Sequence, residues 1–254
     1  MLRIIYTILR NLVHIYLIPI MRYVGAHPQK YSDERRYRLV RKLSRLVTKA
    51  GHIHTTYYGI ENIPKDGNYL MCANHQGKFD ALAIVNGHDA PCSLVMDYDR
   101  SKMYIVNEIV TLLQGKRLKR DDIRQSMTVI MEMSEELKQG RNFIIFPEGG
   151  YLKEKKNKLY PFKPGCFKCV QKAHSTIVPV VLIDSYKAYN YNSLRRVYNS
   201  VYFLPPIKYE EIADLKTPEI AQKVQLQIAE QISKVTNTPV SDLLVDLDPK
   251  TVLI

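Results

Sequence analysis

Cysteine is scarce in this 254-residue chain: Cys72, Cys92, Cys166 and Cys169 are too few for a disulfide scaffold. No cleavable signal peptide is evident, so a reducing, cytosolic setting is expected. Linkers rich in Gly, Ser or Pro, low-complexity tracts and internal repeats are also missing. That absence favours one catalytic-sized domain over a string of modules. Neither a P-loop nor a G-x-G-x-x-G occurs, which excludes the usual routes to nucleotide hydrolysis and dinucleotide chemistry. Cys166 and Cys169 form a lone C-x-x-C without the second pair that a structural zinc needs, and they read as core-facing residues one helical turn apart. His52 and His54 share a strand face, but no H-E-x-x-H or carboxylate-rich partner accompanies them, so no metal site is expected. Eighteen tyrosines could stack bases, yet no RNA-binding signature goes with them, and no nucleic-acid partner is expected.

Acidic residues are nearly missing from the first fifty positions, which hold eleven Lys/Arg against Asp33 and Glu34 and so carry nine of the twelve net positive charges. A basic lobe on a near-neutral body suits an anionic surface. Residues 1–24 are Leu, Ile, Val and Tyr, crossed by a polar stripe of Arg3, Thr7, Arg10 and His14 at helical spacing and interrupted at Pro19. Arg10 would lie near mid-span in a membrane-crossing helix, so an interfacial helix fits better. Residues 32–51 repeat the pattern, with Ser32 as N-cap, Gly51 as stop, and Arg35, Arg36, Arg38, Arg41, Lys42, Arg45 and Lys49 outside the apolar face. Residues 1–51 are therefore expected to be a basic amphipathic helical pair that docks on anionic lipid, peripheral or monotopic at the cytoplasmic face of the membrane. The plainer alternative is a solvated helix packed on the body.

Residues 52–254 are expected to form one α/β domain. Short apolar runs at 68–73, 92–97, 142–147 and 175–183 read as strands buried on both faces, and 52–59 and 197–204 as further strands. Helical stretches lie between them at 81–86, 102–113, 121–139 and 166–174, and a last one spans 217–235. This alternation predicts a mixed, mainly parallel sheet flanked by helices.

Three clusters carry the candidate chemistry. The strand at 68–73 ends in Asn74-His75, with Asp80 five residues on at a helix start; the pair fits a histidine base oriented by a carboxylate, or a structural histidine beside a capping Asp. The strand at 142–147 ends in Phe146-Pro147-Glu148-Gly149-Gly150, a turn that exposes backbone N–H groups. Downstream, Lys163 precedes a helix start, which suits an anion. Residues 115–120 hold Lys116, Arg117, Lys119 and Arg120, either a solvated run or a phosphate clamp.

In this order the clusters resemble the lysophosphatidate (1-acylglycerol-3-phosphate) acyltransferase family of glycerolipid acyltransferases. Asn74-His75 with Asp80 matches that family's N-H-x4-D motif, Phe146–Gly149 its F-P-E-G motif, and Val178-Pro179-Val180 its closing V-P-V block; Gly115–Arg120 stands at its phosphate-binding block. The agreement runs from about residue 55 to 185, roughly half the chain. The resemblance implies transfer of a fatty acyl group from acyl-CoA or an acyl carrier protein to the free hydroxyl of 1-acylglycerol-3-phosphate, making phosphatidic acid for phospholipid synthesis. His75 would be the general base and Asp80 its orienting partner. Arg120, with Arg117, would hold the acceptor phosphate, and Glu148 and Gly149 would shape the glycerol site. No metal and no cofactor beyond the acyl donor would be needed. The sequence departs from the pattern where the family continues E-G-T-R: Gly150 and Tyr151 stand there, with Lys153 or Lys163 as candidates for the missing charge, and Gly77 replaces a small hydroxyl residue. A different lysophospholipid acceptor is the alternative within the class, and a non-catalytic basic adaptor for membrane or nucleic acid the alternative outside it.

Overall fold

The computed structural model describes residues 2–119 and 121–245. Its strands are β1 (Ile53–Tyr58), β2 (Tyr69–Ala73), β3 (Cys92–Asp97), β4 (Lys116–Leu118), β5 (Asn142–Ile145), β6 (Thr176–Ile183) and β7 (Val197–Phe203). They form one seven-stranded sheet in the order β1-β7-β6-β2-β5-β3-β4. Neighbours run parallel throughout, except that β6 and β7 are antiparallel. The mixed, mainly parallel sheet expected from the apolar runs is what forms. β2 and β5 are buried at every residue and β6 at all but its first, because helices cover both faces.

Helices α1 (Leu2–Arg10), α2 (Leu17–Ala26), α3 (Asp33–Ala50) and α4 (Asp80–Gly87) come from the first third of the chain. They are followed by α5 (Val106–Leu112), α6 (Ile123–Lys138), α7 (Lys168–Ala173), α8 (Thr217–Thr236) and the short α9 (Val240–Leu243). On one face Val129, Met133, Val170, Val224 and Ile228 of α6, α7 and α8 pack on Leu70, Phe143, Ile177 and Val181. On the other, Val24, Tyr37, Val40 and Ile84 of α2, α3 and α4 pack on Met71, Ile144, Val178 and Phe203. Each aliphatic side chain buried in this way contributes about 1.5–3 kcal/mol of transfer free energy. Residues before Gly51 thus share the core of the sheet.

Residues 116–118 correct the sequence reading, which left them between helices. They pair parallel with Val95–Asp97 as an edge strand. Lys-Arg-Leu carries no apolar period, and charge is the common guard of a sheet edge.

The first segment also differs from expectation. The break falls at residues 11–16, not at Pro19, which sits in the first turn of α2, where its missing N–H costs nothing. Leu2–Arg10 and Leu12–Ala26 meet at a 56° bend, and no single helix among the described residues is long and apolar enough to cross a membrane. The first half of the polar stripe, Arg3 and Thr7, turns inward, while Arg10 stays exposed. Arg3, 2% exposed, donates from Nη1 to Gly51 O at 2.6 Å and from Nη2 to Arg195 O at 2.7 Å. Thr7 is buried beside it, while Ile5, Ile8, Leu9, Leu12 and Val13 are exposed. In α3, Ser32 caps as expected, accepting from Arg35 N–H. Arg36, read as part of the solvated basic face, is instead buried, donating to Pro28 O, Tyr31 O, Gln114 and Asp33.

The reversal at β7 decides where these helices sit. Because β7 is antiparallel to β6 and parallel to β1, the start of β1, and with it Gly51 and α1, lies at the edge where β2, β5 and β6 end.

Candidate active site

The site begins where the β2–β6 ladder stops, at Ala73 opposite Val180. Asn74 extends that ladder with its side chain: Nδ2 donates to Leu182 O at 2.9 Å and Oδ1 accepts from Leu182 N–H at 2.7 Å. His75 follows on the turn, its side chain 21% exposed. Its ring stacks on Phe146, with centroids 4.3 Å apart, and meets the edge of Tyr151 at 4.6 Å.

Asp80, the first residue of α4, is wholly buried and turned back onto the histidine turn. Its Oδ2 accepts from His75 Nδ1 at 2.7 Å, from Gln76 N–H at 2.5 Å and from Gly77 N–H at 2.9 Å. Its Oδ1 accepts from the Ser185 hydroxyl at 2.6 Å. Four donors hold a carboxylate here, and the Nδ1–H bond to it assigns the lone pair of the imidazole to Nε2. Among the described residues Nε2 has no hydrogen-bond partner. An exposed basic nitrogen backed by a buried carboxylate can take a proton from a hydroxyl and stabilise the imidazolium that results.

The second motif abuts the first because β5 is the neighbour of β2. Glu148 is 2% exposed, and both its oxygens meet protein donors. Oε1 accepts from His75 N–H at 2.6 Å, and Oε2 accepts from Tyr160 N–H at 2.8 Å and from the Lys155 ammonium. It stands beneath the histidine with both oxygens held by protein donors, so any part it has in shaping the glycerol site is through the turn it fixes. Gly149 has φ +75°, a conformation suited to glycine, and a Cβ there would lie 2.8 Å from Cε and Nζ of Lys163. Lys163 is exposed, covers Gly149 and donates its N–H to Pro147 O at 2.9 Å.

Arg117 sits on β4, three positions along the sheet from β2. Its guanidinium reaches Ser101 Oγ, Asn107 Oδ1 and Thr111 Oγ1, tying the loop after β3 to α5. Arg120 lies outside the described residues. Sequence reasoning missed Arg100, on the loop after β3. Burial pushes the Tyr151 phenol up, and the Arg100 guanidinium beside it pulls the other way. It missed Lys155 too, one of four lysines between residues 153 and 158 that the sequence does not distinguish. Among the described residues no group of three or more His, Cys, Asp or Glu is placed to hold a metal ion.

The acyltransferase family model matches residues 54–183. A 1-acyl-sn-glycerol-3-phosphate acyltransferase of Borreliella burgdorferi is 24% identical over 181 residues, 70% of this chain and 71% of that protein. One of Saccharomyces cerevisiae is 25% identical over 184 residues, 71% of this chain and 60% of its own length. The crystal structure of the 1-acyl-sn-glycerophosphate acyltransferase PlsC of Thermotoga maritima superposes with a TM-score of 0.72 at 19% identity, covering 93% of this chain and 98% of that one, and so shares the fold.

Proposed function

The chain belongs to the acyltransferase family and is an O-acyltransferase, and from that premise we propose that it acylates 1-acylglycerol-3-phosphate with His75 as general base. The observation that carries the reading is the 2.7 Å contact between His75 Nδ1 and the buried Asp80 carboxylate, which leaves Nε2 unpartnered among the described residues at the carboxyl edge of the sheet. Nε2 removes the proton of the acceptor's free hydroxyl as its oxygen attacks the thioester carbonyl. The tetrahedral adduct then expels the thiolate, which takes the proton back from the imidazolium. No acyl-enzyme forms. A base of this kind contributes roughly 10²–10⁴ in rate, and positioning contributes much of the remainder. The acyl donor proposed is acyl-CoA or an acyl carrier protein.

The acceptor's phosphate needs cations, and Tyr151 stands where the family motif has arginine. Arg100, beside Tyr151, and Lys163, over Gly149, are two cations placed near that position. Docking on anionic lipid at the cytoplasmic face of the membrane is part of the proposal. It is supported by the outward apolar side of α1 and by exposed Met103 and Tyr104 on the loop after β3, at the same edge as His75.

The test is acyl transfer by wild type and His75→Ala with labelled acyl-CoA and acyl carrier protein over a panel of lysolipids. Transfer to lysophosphatidate that disappears in the variant is the expected result. Transfer only to another lysolipid would move the acceptor, and transfer that survives in His75→Ala would overturn the mechanism.

A further inference from the structure

Lys155 is a lysine with no exposed side-chain surface, between neighbours of ordinary character: Lys156 and Lys158 are both exposed. Its ammonium points under the catalytic turn, donating to His75 O at 2.7 Å and to the Glu148 carboxylate, and lies 4.9 Å from the centroid of the Tyr160 ring. Glu148 in turn accepts the N–H of His75 at 2.6 Å. Both backbone polar groups of His75 are therefore held by one buried ion pair. Burial draws the Lys155 ammonium below its ordinary range, while Glu148 and, more weakly, Asp80 hold it up. The Glu148 carboxylate on one side and the His75 carbonyl dipole on the other both favour its charged form.

The charges around the imidazole come from several elements. Asp80 faces it from α4, Glu148 lies beneath it after β5, and Lys155 adjoins it from the loop. Arg100 stands behind Tyr151, and Lys163 covers Gly149. Of these, only Lys155 is both cationic and bonded to His75.

Resting on the reading of His75 as the base, we propose that Lys155 is a positioning residue for acyl transfer: it locks the main chain of His75 to Glu148 and sets one fixed positive charge against the two acids bonded to His75, Asp80 at the ring and Glu148 at the main chain. Without it the His75 carbonyl loses its donor, and two uncompensated carboxylates favour the imidazolium, the form that cannot accept a proton.

The experiment compares full-length wild type, Lys155→Met, Lys155→Arg and the double variant Glu148→Gln/Lys155→Met in mixed micelles. It follows kcat/KM against pH for acyl transfer and, without substrate, the His75 signal of ¹³C-histidine-labelled protein by NMR. Lys155→Met is expected to raise the midpoint of the acid limb and of the His75 titration by about one pH unit. Lys155→Arg should stay near wild type, and the double variant, which removes one charge of each sign, should return towards it. Coincident midpoints for wild type and Lys155→Met overturn the proposal, even where the rate falls, because a merely structural lysine would cost rate without moving the limb. Equal shifts for Arg and Met overturn it as well. Should Lys155→Met not fold, Glu148→Gln with Lys155 intact is expected to lower the midpoint by a similar amount, and no movement there counts against it. A wild type that transfers no acyl group would sink the acyltransferase reading alone, since the NMR titration still reports on Lys155.

Discussion

Asp80→Asn is the sharpest test of the histidine–carboxylate pair, because the structure shows how little else it disturbs. Oδ2 of Asp80 meets three N–H donors and Oδ1 meets one hydroxyl. An asparagine fits with its carbonyl oxygen in the Oδ2 position and its NH₂ towards Ser185, whose hydroxyl can turn to accept. His75 then keeps its Nδ1–H bond and its tautomer; what disappears is the charge. A carboxylate about 4 Å from the centre of an imidazolium charge, at an effective permittivity of about 20, is worth about 4 kcal/mol. A neutral acceptor in its place returns about 1 kcal/mol. The remaining loss of about 3 kcal/mol predicts a fall of roughly 10²-fold in kcat, with KM for donor and acceptor little changed. The assay is thiol release from acyl-CoA with lysophosphatidate in mixed micelles, with a thermal melt alongside to show that the fold persists. A folded Asp80→Asn enzyme that keeps more than about one fifth of wild-type kcat, where a lost charge of this size predicts about one hundredth, would reduce Asp80 to the first residue of a helix.

Two further perturbations reach other parts of the molecule. His88 is buried against Tyr37, and burial, helped by Arg41, pushes its imidazole down to about 4. An unfolded histidine titrates near 6.5, so the unfolded chain binds the proton first: stability is fully present above about pH 7 and falls between about 6.5 and 4, by roughly 3 kcal/mol in all. Urea unfolding at neutral and acid pH should show that slope and His88→Gln should flatten it; parallel slopes for the two proteins would discount His88. Ile5→Asp with Leu9→Asp places two carboxylates on the exposed side of α1, where Arg3 and Thr7 still hold the inner side. Vesicle co-sedimentation on anionic liposomes should drop about tenfold or more with an unchanged melt, on the cost of burying charge at a lipid interface; undiminished binding would remove α1 from the docking surface.

Much of this site was readable from the chain because its key contacts are local. His75 and Asp80 are five positions apart, and Glu148 joins them because two fully buried strands, β2 and β5, pair side by side. Distant and non-periodic features were not readable. β4 is Lys-Arg-Leu, a strand only through its ladder with β3. Arg3 and Thr7 read as the water-facing stripe of a helix, and only the carbonyls of Gly51 and Arg195 turn that stripe inward. Lys155 has the same local surroundings as the exposed lysines beside it, and what distinguishes it is a carboxylate seven residues away on another element. Arg100 reaches Tyr151 across a gap of about fifty residues in sequence, which no spacing rule spans.

The antiparallel turn of β7 has one more effect. It brings α1 to the margin where His75 opens, so that, with α1 docked as proposed, the proposed lysolipid acceptor would be met without leaving the bilayer and encounter would become a search in two dimensions. On that proposed docking, turnover would follow the mole fraction of acceptor in the membrane and not its amount per volume, and added inert lipid would slow the enzyme as surely as removal of substrate.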